Sequence, residues 1–369
     1  MTTIINGSSP SITFSDGSAQ TSATRPFLNR LINGGMTIDQ RNAGASVSGN
    51  NNYTLDRWQA LVSASGKYTV QQDAGAVTPP AGFTDYLGVT SSSAYSVSSG
   101  DYFTINQRIE GFNCADLNWG SASAKTITLS FWVRSSLTGT FGGSLRNSAS
   151  NRSYPFSYTI NSANTWEFET ITIAGDTSGT WLTTNGIGID INFSLGAGSA
   201  FSGTAGAWAG SNFFSATGAT SVVGTNGATF YITGVQLEVG STATSFDYRP
   251  YGTELALCQR YYYKLAIGQG NSRVLSGYIS STTQSINLLN MPVSMRTSPT
   301  ALETSGTAAH YSVAYTNTET NCSAVPSYND ASVNTVSVIG AVASGLTAGQ
   351  GCQLRYINAS AYLAVSAEL

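Results

Sequence analysis

Phe246-Asp-Tyr-Arg-Pro-Tyr-Gly-Thr-Glu-Leu-Ala-Leu-Cys-Gln-Arg-Tyr-Tyr-Tyr263 interrupts a chain that otherwise reads as short strands and small polar loops. Pro250 and Gly252 end the strand that precedes them, because proline removes a ladder donor and glycine weakens a strand interior. From Thr253 to Arg260 the residues are good helix formers, with Leu255, Leu257 and Cys258 as the candidate buried contacts. One or two helical turns are expected, acting as a hinge between two β-rich modules. The chain accordingly divides into an N-terminal segment (1–24), a first sandwich (25–249), the hinge (250–265) and a distal β-rich domain (266–369).

On the N-terminal side of the hinge, strands recur at short intervals: 67–72, 86–90, 103–110, 126–134, 154–160, 166–173, 187–193 and 230–238. In 126–134, Ile127, Leu129, Phe131 and Val133 take one face, leaving Thr128, Ser130, Trp132 and Arg134 on the other. A tryptophan on the second face requires that face to be covered or to bind something. The segment 192–229 is rich in Gly, Ala, Ser and Asn with Phe201, Trp208, Phe213 and Phe214 embedded, and it is long for a loop in a compact domain. On the C-terminal side, short strands near 273–280, 284–289, 310–315, 333–339, 353–359 and 362–366, with proline-bounded loops, favour a smaller antiparallel sandwich. The fold class is therefore all-β.

Composition restricts the function. Of 369 residues only 9% are charged, and the net charge is −3, so no clustered basic face exists for nucleic acid. No stretch is apolar enough for membrane insertion, and the first residues lack the regions of a signal peptide, so a soluble chain outside the usual export route is expected. Cys114, Cys258, Cys322 and Cys352 are too scattered for a disulfide framework or a zinc site. They read as reduced structural thiols, with a Cys322–Cys352 bridge as the alternative.

The segment Ser11–Gln20 reads as one small hairpin closed by an Asp-Gly turn. With few apolar side chains it cannot offset its own ordering entropy, so Ile12 and Phe14 are assigned to docking on another surface. Tyr261, Tyr262 and Tyr263 are the second assembly candidate, a compact apolar patch beside the helix suited to three-fold packing.

The hinge segment resembles the one found in many tailed-bacteriophage fibre and virion-surface proteins, where a β-sandwich ends and the next module begins. The ordered string Leu31-Ile-Asn-Gly-Gly35, Tyr53-Thr-Leu-Asp-Arg-Trp58, Ile109-Glu110, Leu129-Ser-Phe-Trp-Val-Arg134, Thr165-Trp166 and Gly234-Val-Gln-Leu-Glu238 looks like a recurrent phage module. That module is similar to the jelly-roll sandwich of carbohydrate-binding modules and galactose-binding-like domains, over residues 25–263. The chain departs from carbohydrate-binding enzymes in having no attached catalytic domain. Met291-Pro-Val-Ser-Met-Arg-Thr-Ser-Pro-Thr300 resembles the segment that follows the hinge in distal modules of phage fibres.

The resemblance implies a virion-surface protein, assembled in the host cytoplasm as a homotrimeric tail fibre. Its partners would be other virion proteins, held through the N-terminal segment, and host cell-surface glycan. A capsid decoration protein or head fibre is the first alternative, and a polysaccharide depolymerase the second.

Aromatic rings are the side chains that could stack on sugar faces. Trp181 and Trp208, in Gly-rich contexts, are expected to be the exposed pair of the first sandwich, and Tyr315 and Tyr328 flank the distal loops. Enzyme chemistry is not expected. His310 is the single histidine and no Gly-x-Ser-x-Gly turn supplies a nucleophile, while Glu167 and Glu169 share a strand face as ordinary solvated acids do. Glu110, Glu238 and Asp247 suit structural hydrogen bonding or a structural calcium; no other cofactor is expected, and the metal stays open.

Overall fold

The computed structural model describes residues 4–6, 11–13, 19–20 and 28–369. Ile4–Asn6, Ser11–Thr13 and Ala19–Gln20 pair in order as a three-stranded antiparallel sheet, one strand more than the expected hairpin. Ile12 lies on its central strand, and Phe14 falls outside the described residues.

Twelve strands build the first sandwich as two six-stranded antiparallel sheets. One runs in spatial order Glu167–Ile173, Ile127–Ser135, Thr229–Val239, Leu87–Ser91, Tyr68–Gln72 and Val47–Ser48. The other runs Ser153–Ile160, Gly139–Arg146, Ile187–Ala197, Tyr102–Glu110, Trp58–Val62 and Tyr53–Leu55. The alternation in the sequence predicts the inner faces: Ile127, Leu129, Phe131 and Val133 are fully buried. Phe131 meets Phe193 of the opposite sheet edge-on, with ring centroids 5.1 Å apart. Trp58 is also core, its indole donating to the Asn33 carbonyl at 2.9 Å.

The long segment after Ile187–Ala197 lies across the outer face of the second sheet. Outward-pointing Asp190 and Arg146 pair there, Asn106 donates to Asp190 at 2.8 Å, and the Arg146 guanidinium sits 3.8 Å over the Phe214 ring. Phe214 in turn stacks on Tyr102 at 4.4 Å. The embedded aromatics are thus what fasten the segment to the sheet.

The distal module has a seven-stranded antiparallel sheet, ordered Thr318–Asn321, Tyr311–Tyr315, Gly351–Tyr356, Ser272–Ser281, Gln284–Asn290, Thr335–Ala341 and Ser327–Ala331. A three-stranded sheet of Tyr262–Ala266, Tyr362–Ser366 and Glu303–Thr304 faces it across a core that includes Leu275, Val313, Val338, Leu354 and Leu363. Cys322 and Cys352 are buried and unbridged in that module, as are Cys114 and Cys258 elsewhere.

Between the modules the helix spans Tyr251–Gln259, starting two residues earlier than its formers suggest. Cys258 and Tyr261 are buried with Ile32 and Ile38, and Leu255 and Leu257 pack against them. Arg260 and the Tyr261 hydroxyl both donate to Glu110 of the first sandwich, at 2.7 and 2.6 Å. Burial pushes the Glu110 carboxyl up, but these donors outweigh it and leave the group below its usual range.

The tyrosine triplet corrects the assembly reading. Tyr261 and Tyr262 are buried and Tyr263 is half-buried, because two cations of the first sandwich use their rings as platforms: Arg57 lies 3.6 Å over Tyr261 and Arg41 3.6 Å over Tyr262. Both arginines then pair with Glu368, which follows the last strand of the distal module and lies at the junction. The patch expected to face other chains is spent inside this one.

Asp56 sits at the same junction, accepting from the Gln40 amide, while Gln40 Nε2 reaches both Asp56 and the Tyr262 carbonyl at 3.0 Å. Burial raises the Asp56 carboxyl to about 7. A carboxyl whose folded value lies above its unfolded one stabilises the protein at low pH, and that contribution is lost as pH climbs to the folded value. Thermal melts should therefore show Asp56→Asn gaining on the parent protein as pH rises from about 4 to above 7. A constant offset between the two across that window would contradict the assignment.

Candidate functional site

The groove beside the helix is built from the Leu-Ile-Asn-Gly-Gly loop and the Phe-Asp-Tyr-Arg-Pro-Tyr stretch, which lie side by side. Asn29 donates to the Val235 carbonyl at 2.8 Å and accepts from Leu31 and Leu237 amides, and Asn33 binds Ile38 in both directions. These bonds press the loop against the strand Thr229–Val239. At Gly34 a Cβ would lie 2.2 Å from the Val235 carbonyl oxygen, so only glycine fits.

Three rings form one wall. Phe83 lies against Gly234, whose φ of +61° and missing side chain make room for it. Phe83 meets Phe246 at 5.0 Å and Tyr248 at 5.6 Å, and Phe246 meets Tyr248 at 4.9 Å. Tyr248 remains 59% exposed and Tyr251 65% exposed, so both keep ring surface for a ligand. The Tyr248 hydroxyl is raised by burial and stays a neutral donor.

Asn29, Thr37, Asp247, Arg249 and Glu254 line the same cavity, of about 260 Å³. Arg249 pairs with Glu254 at 3.2 Å and donates to the Leu31 carbonyl at 3.1 Å, while Asp247 accepts from the Asn29 amide at 3.2 Å. A second cavity of about 350 Å³ shares Asn29 and Arg249 and continues past Thr253 and Leu257 to Arg30, Asn113 and Phe112, the last 60% exposed. Arg30 is held by Asp116 through two bonds of 2.8 Å. The two cavities adjoin at Asn29 and Arg249, and both combine exposed rings with internally neutralised charges. Aromatic faces beside fixed amide, carboxylate and guanidinium edges are the combination that grips a polyhydroxylated ring.

The tryptophans expected at the surface lie elsewhere. Trp181 is 9% exposed, meeting Trp119 at 4.7 Å and the half-buried Trp208 at 5.4 Å, all edge-on. Their indoles donate to the Ser178 and Ala174 carbonyls. Gly-rich flanks made these residues look exposed, but the indoles close on each other and form part of the packing. Tyr315 is half-buried beside a separate polar cavity, with its hydroxyl on the Gly345 carbonyl, and Tyr328 packs against the distal core. The structure does not bring the four together.

The candidate acids are committed to protein donors. Glu167 caps the turn at Asn161 and Ser162, Glu238 holds Thr244 and Gln236, and Glu110 holds Arg260 and Tyr261. Burial, and then the neighbouring Glu167, raise the Glu169 carboxyl. His310 Nδ1 meets the Ser305 hydroxyl at 2.9 Å, so the ring is oriented by a hydroxyl rather than by a carboxylate. Among the described residues no group of three or more His, Cys, Asp or Glu could hold a metal ion.

Sequence reasoning missed Phe83, Phe112, Tyr248 and Tyr251 as site residues. A signal existed in two tyrosines flanking Arg249 and Pro250, at a corner where neither strand nor helix would bury them.

No family model matches the chain, and no curated protein matches it. Solved structures with likeness include a putative sugar binding protein from Bacteroides thetaiotaomicron, at 11% identity and TM-score 0.33, covering 57% of this chain and all of that one. A family 11 carbohydrate-binding module from Clostridium thermocellum, in complex with a β-1,3-1,4-mixed-linked tetrasaccharide, aligns at 10% identity and TM-score 0.27, over 54% of this chain and 98% of that one. The enzymatically active domain of tailspike protein 4 from bacteriophage CBA120 aligns at 15% identity and TM-score 0.31, over 59% of this chain. This chain spans only 22% of the tailspike domain's length.

The glycine pair offers a check on how the groove is held. Gly34→Ala should cost roughly 3 kcal/mol or more, since its Cβ must displace backbone. Gly35→Ala should cost under about 1 kcal/mol, its Cβ meeting the Phe246 ring at 3.8 Å. Urea denaturation of the two variants reads the difference, and equal losses would mean that the loop is not pinned at Gly34.

Proposed function

We propose that the protein is a non-catalytic, glycan-binding adhesin of a bacteriophage particle, and that neutral sugar lies in the groove between Tyr248, Tyr251 and Phe112. The observation that carries this reading is the pair of adjoining cavities in which the exposed rings share the lining with Asn29, Asp247 and Arg249. Each guanidinium in it already has a carboxylate, so recognition falls to ring faces, amides and hydroxyls. The Asp247 and Glu254 carboxylates accept backbone and arginine donors, which leaves neither positioned as an acid or base for glycoside hydrolysis. A depolymerase is disfavoured on that ground.

The resemblance of the module string quoted above to phage modules is what supports reading the protein as a homotrimeric tail fibre, with residues 1–24 as the attachment segment. A capsid decoration protein or head fibre would use the same parts, and imaging the protein on the particle distinguishes them. In sedimentation the fibre reading expects about three times the 38.5 kDa chain mass; a monodisperse monomer refutes the trimer.

The binding test is calorimetry of the full chain with neutral oligosaccharides of the host surface. Tyr251→Ala and Tyr248→Ala should each weaken binding about tenfold or more, with unchanged melting temperature. Raising ionic strength should alter affinity little. Undiminished binding by the double variant would remove the groove from the recognition surface.

A further inference from the structure

Every cation described in this charge-poor chain has a carboxylate, a carbonyl or an aromatic ring beside it, with one exception. Arg273 is exposed, and among the described residues it alone has no such partner. It stands on the strand Ser272–Ser281, directly across from Arg355 of Gly351–Tyr356 on the same face of the distal sheet. Like charges directly opposite one another on neighbouring strands destabilise a sheet.

The local acid does not relieve them both. Glu319 is held by the Ser312 hydroxyl at 2.5 Å and by the Arg355 guanidinium, and so is not free to turn to Arg273. Arg355 also donates to the Asn271 carbonyl at 3.1 Å, while its Nε is buried with no partner. Two guanidiniums and one committed carboxylate leave a net positive charge beside a cavity of about 540 Å³. Tyr315 borders that cavity with its hydroxyl tied to Gly345, and Asn317 and Gln353 contribute amides.

We infer that this cavity is a second sugar-binding site, separate from the junction groove, and that it takes the carboxylate of an acidic sugar such as a uronate. An arginine fork matches a carboxylate through two parallel bonds, and the anion would neutralise the repulsion between Arg273 and Arg355. The amides and hydroxyls around it suit the ring hydroxyl groups, and the Tyr315 ring bounds one side. The two sites thus differ in kind: the junction groove is electrically balanced, and the distal cavity lacks an anion. This inference does not depend on the junction groove binding sugar.

The test titrates the full chain with oligogalacturonate and, separately, with neutral galactan oligomers of the same length. Oligogalacturonate should bind, and raising ionic strength roughly tenfold should weaken it severalfold. Arg273→Gln should weaken it about tenfold, and Arg273→Lys should lose part of that by keeping charge without the fork. Because Arg273 is exposed and unbonded, Arg273→Lys should melt as the parent does and Arg273→Gln, relieved of the repulsion with Arg355, at or slightly above it, so a lost affinity is not lost folding. The inference is overturned if oligogalacturonate fails to bind, or if neutral oligomers bind equally well and respond equally to Arg273→Gln. Binding that is abolished by Tyr251→Ala instead would move the acidic sugar to the junction groove and overturn it as well. Selective binding of a sugar phosphate over the uronate would overturn the carboxylate assignment. Binding of the uronate with no binding of the galactan would support the inference, whichever neutral sugar the junction groove takes.

Discussion

Glu368, held between Arg41 and Arg57 while those arginines lie on Tyr262 and Tyr261, is the interaction on which the relation between the two modules depends. Buried ion pairs of this kind are poor sources of net stability, because desolvation offsets much of the attraction. What they provide is selectivity of arrangement: removing one partner strands a charge in an apolar junction, so alternative dockings of the modules are penalised. Glu110 repeats the device a short distance away with Arg260 and Tyr261. A segment that reads as a hinge therefore behaves as a weld, bonded to the sandwich on one side and to the distal sheets on the other.

The groove inherits its shape from that weld. Arg249 and Glu254 come from the junction, Asn29 and Gly34 from the loop before the first strand, and Phe83 from a loop between strands. None of these could form a site alone. Glu254 fixes the helix to the Asn33 amide and to Arg249 at once, so the start of the helix, the loop and the rings are set by a single carboxylate. Tyr248 and Tyr251 stay exposed because the chain from 240 to 250 is irregular, Val239 ending the strand and Pro250 standing just before the helix, so no element's buried face extends to that corner.

Much of the fold was legible because sheets impose a period of two. The face Ile127, Leu129, Phe131 and Val133 followed directly from alternation, and the helix from its formers after Pro250. The sites were less legible, since exposure of an aromatic depends on what folds over it from distant sequence. Trp181 and Trp208 sit among small residues, the ordinary signature of a surface loop, yet each finds the other and Trp119 as its cover. Tyr261 and Tyr262 look like an apolar patch, and only cations more than two hundred positions away make them interior. Arg41 and Arg57 gave no local sign of that role.

Economy of charge connects these observations. In a chain where few residues are ionised, most charges are used in pairs at places where backbone must be held: Arg146 with Asp190 beneath the long segment, Arg152 with Asp176, Arg249 with Glu254, Arg57 with Glu368. Such pairs leave no long-range field, since each cancels within a few ångströms and salt screens the remainder. A surface of this kind exerts little long-range pull on a charged partner, so most recognition by it would fall to shape, ring faces and hydroxyl groups. Against that background a lone unpaired arginine carries more information than it would in a protein of ordinary charge, because here the rule it breaks is kept by every other cation described.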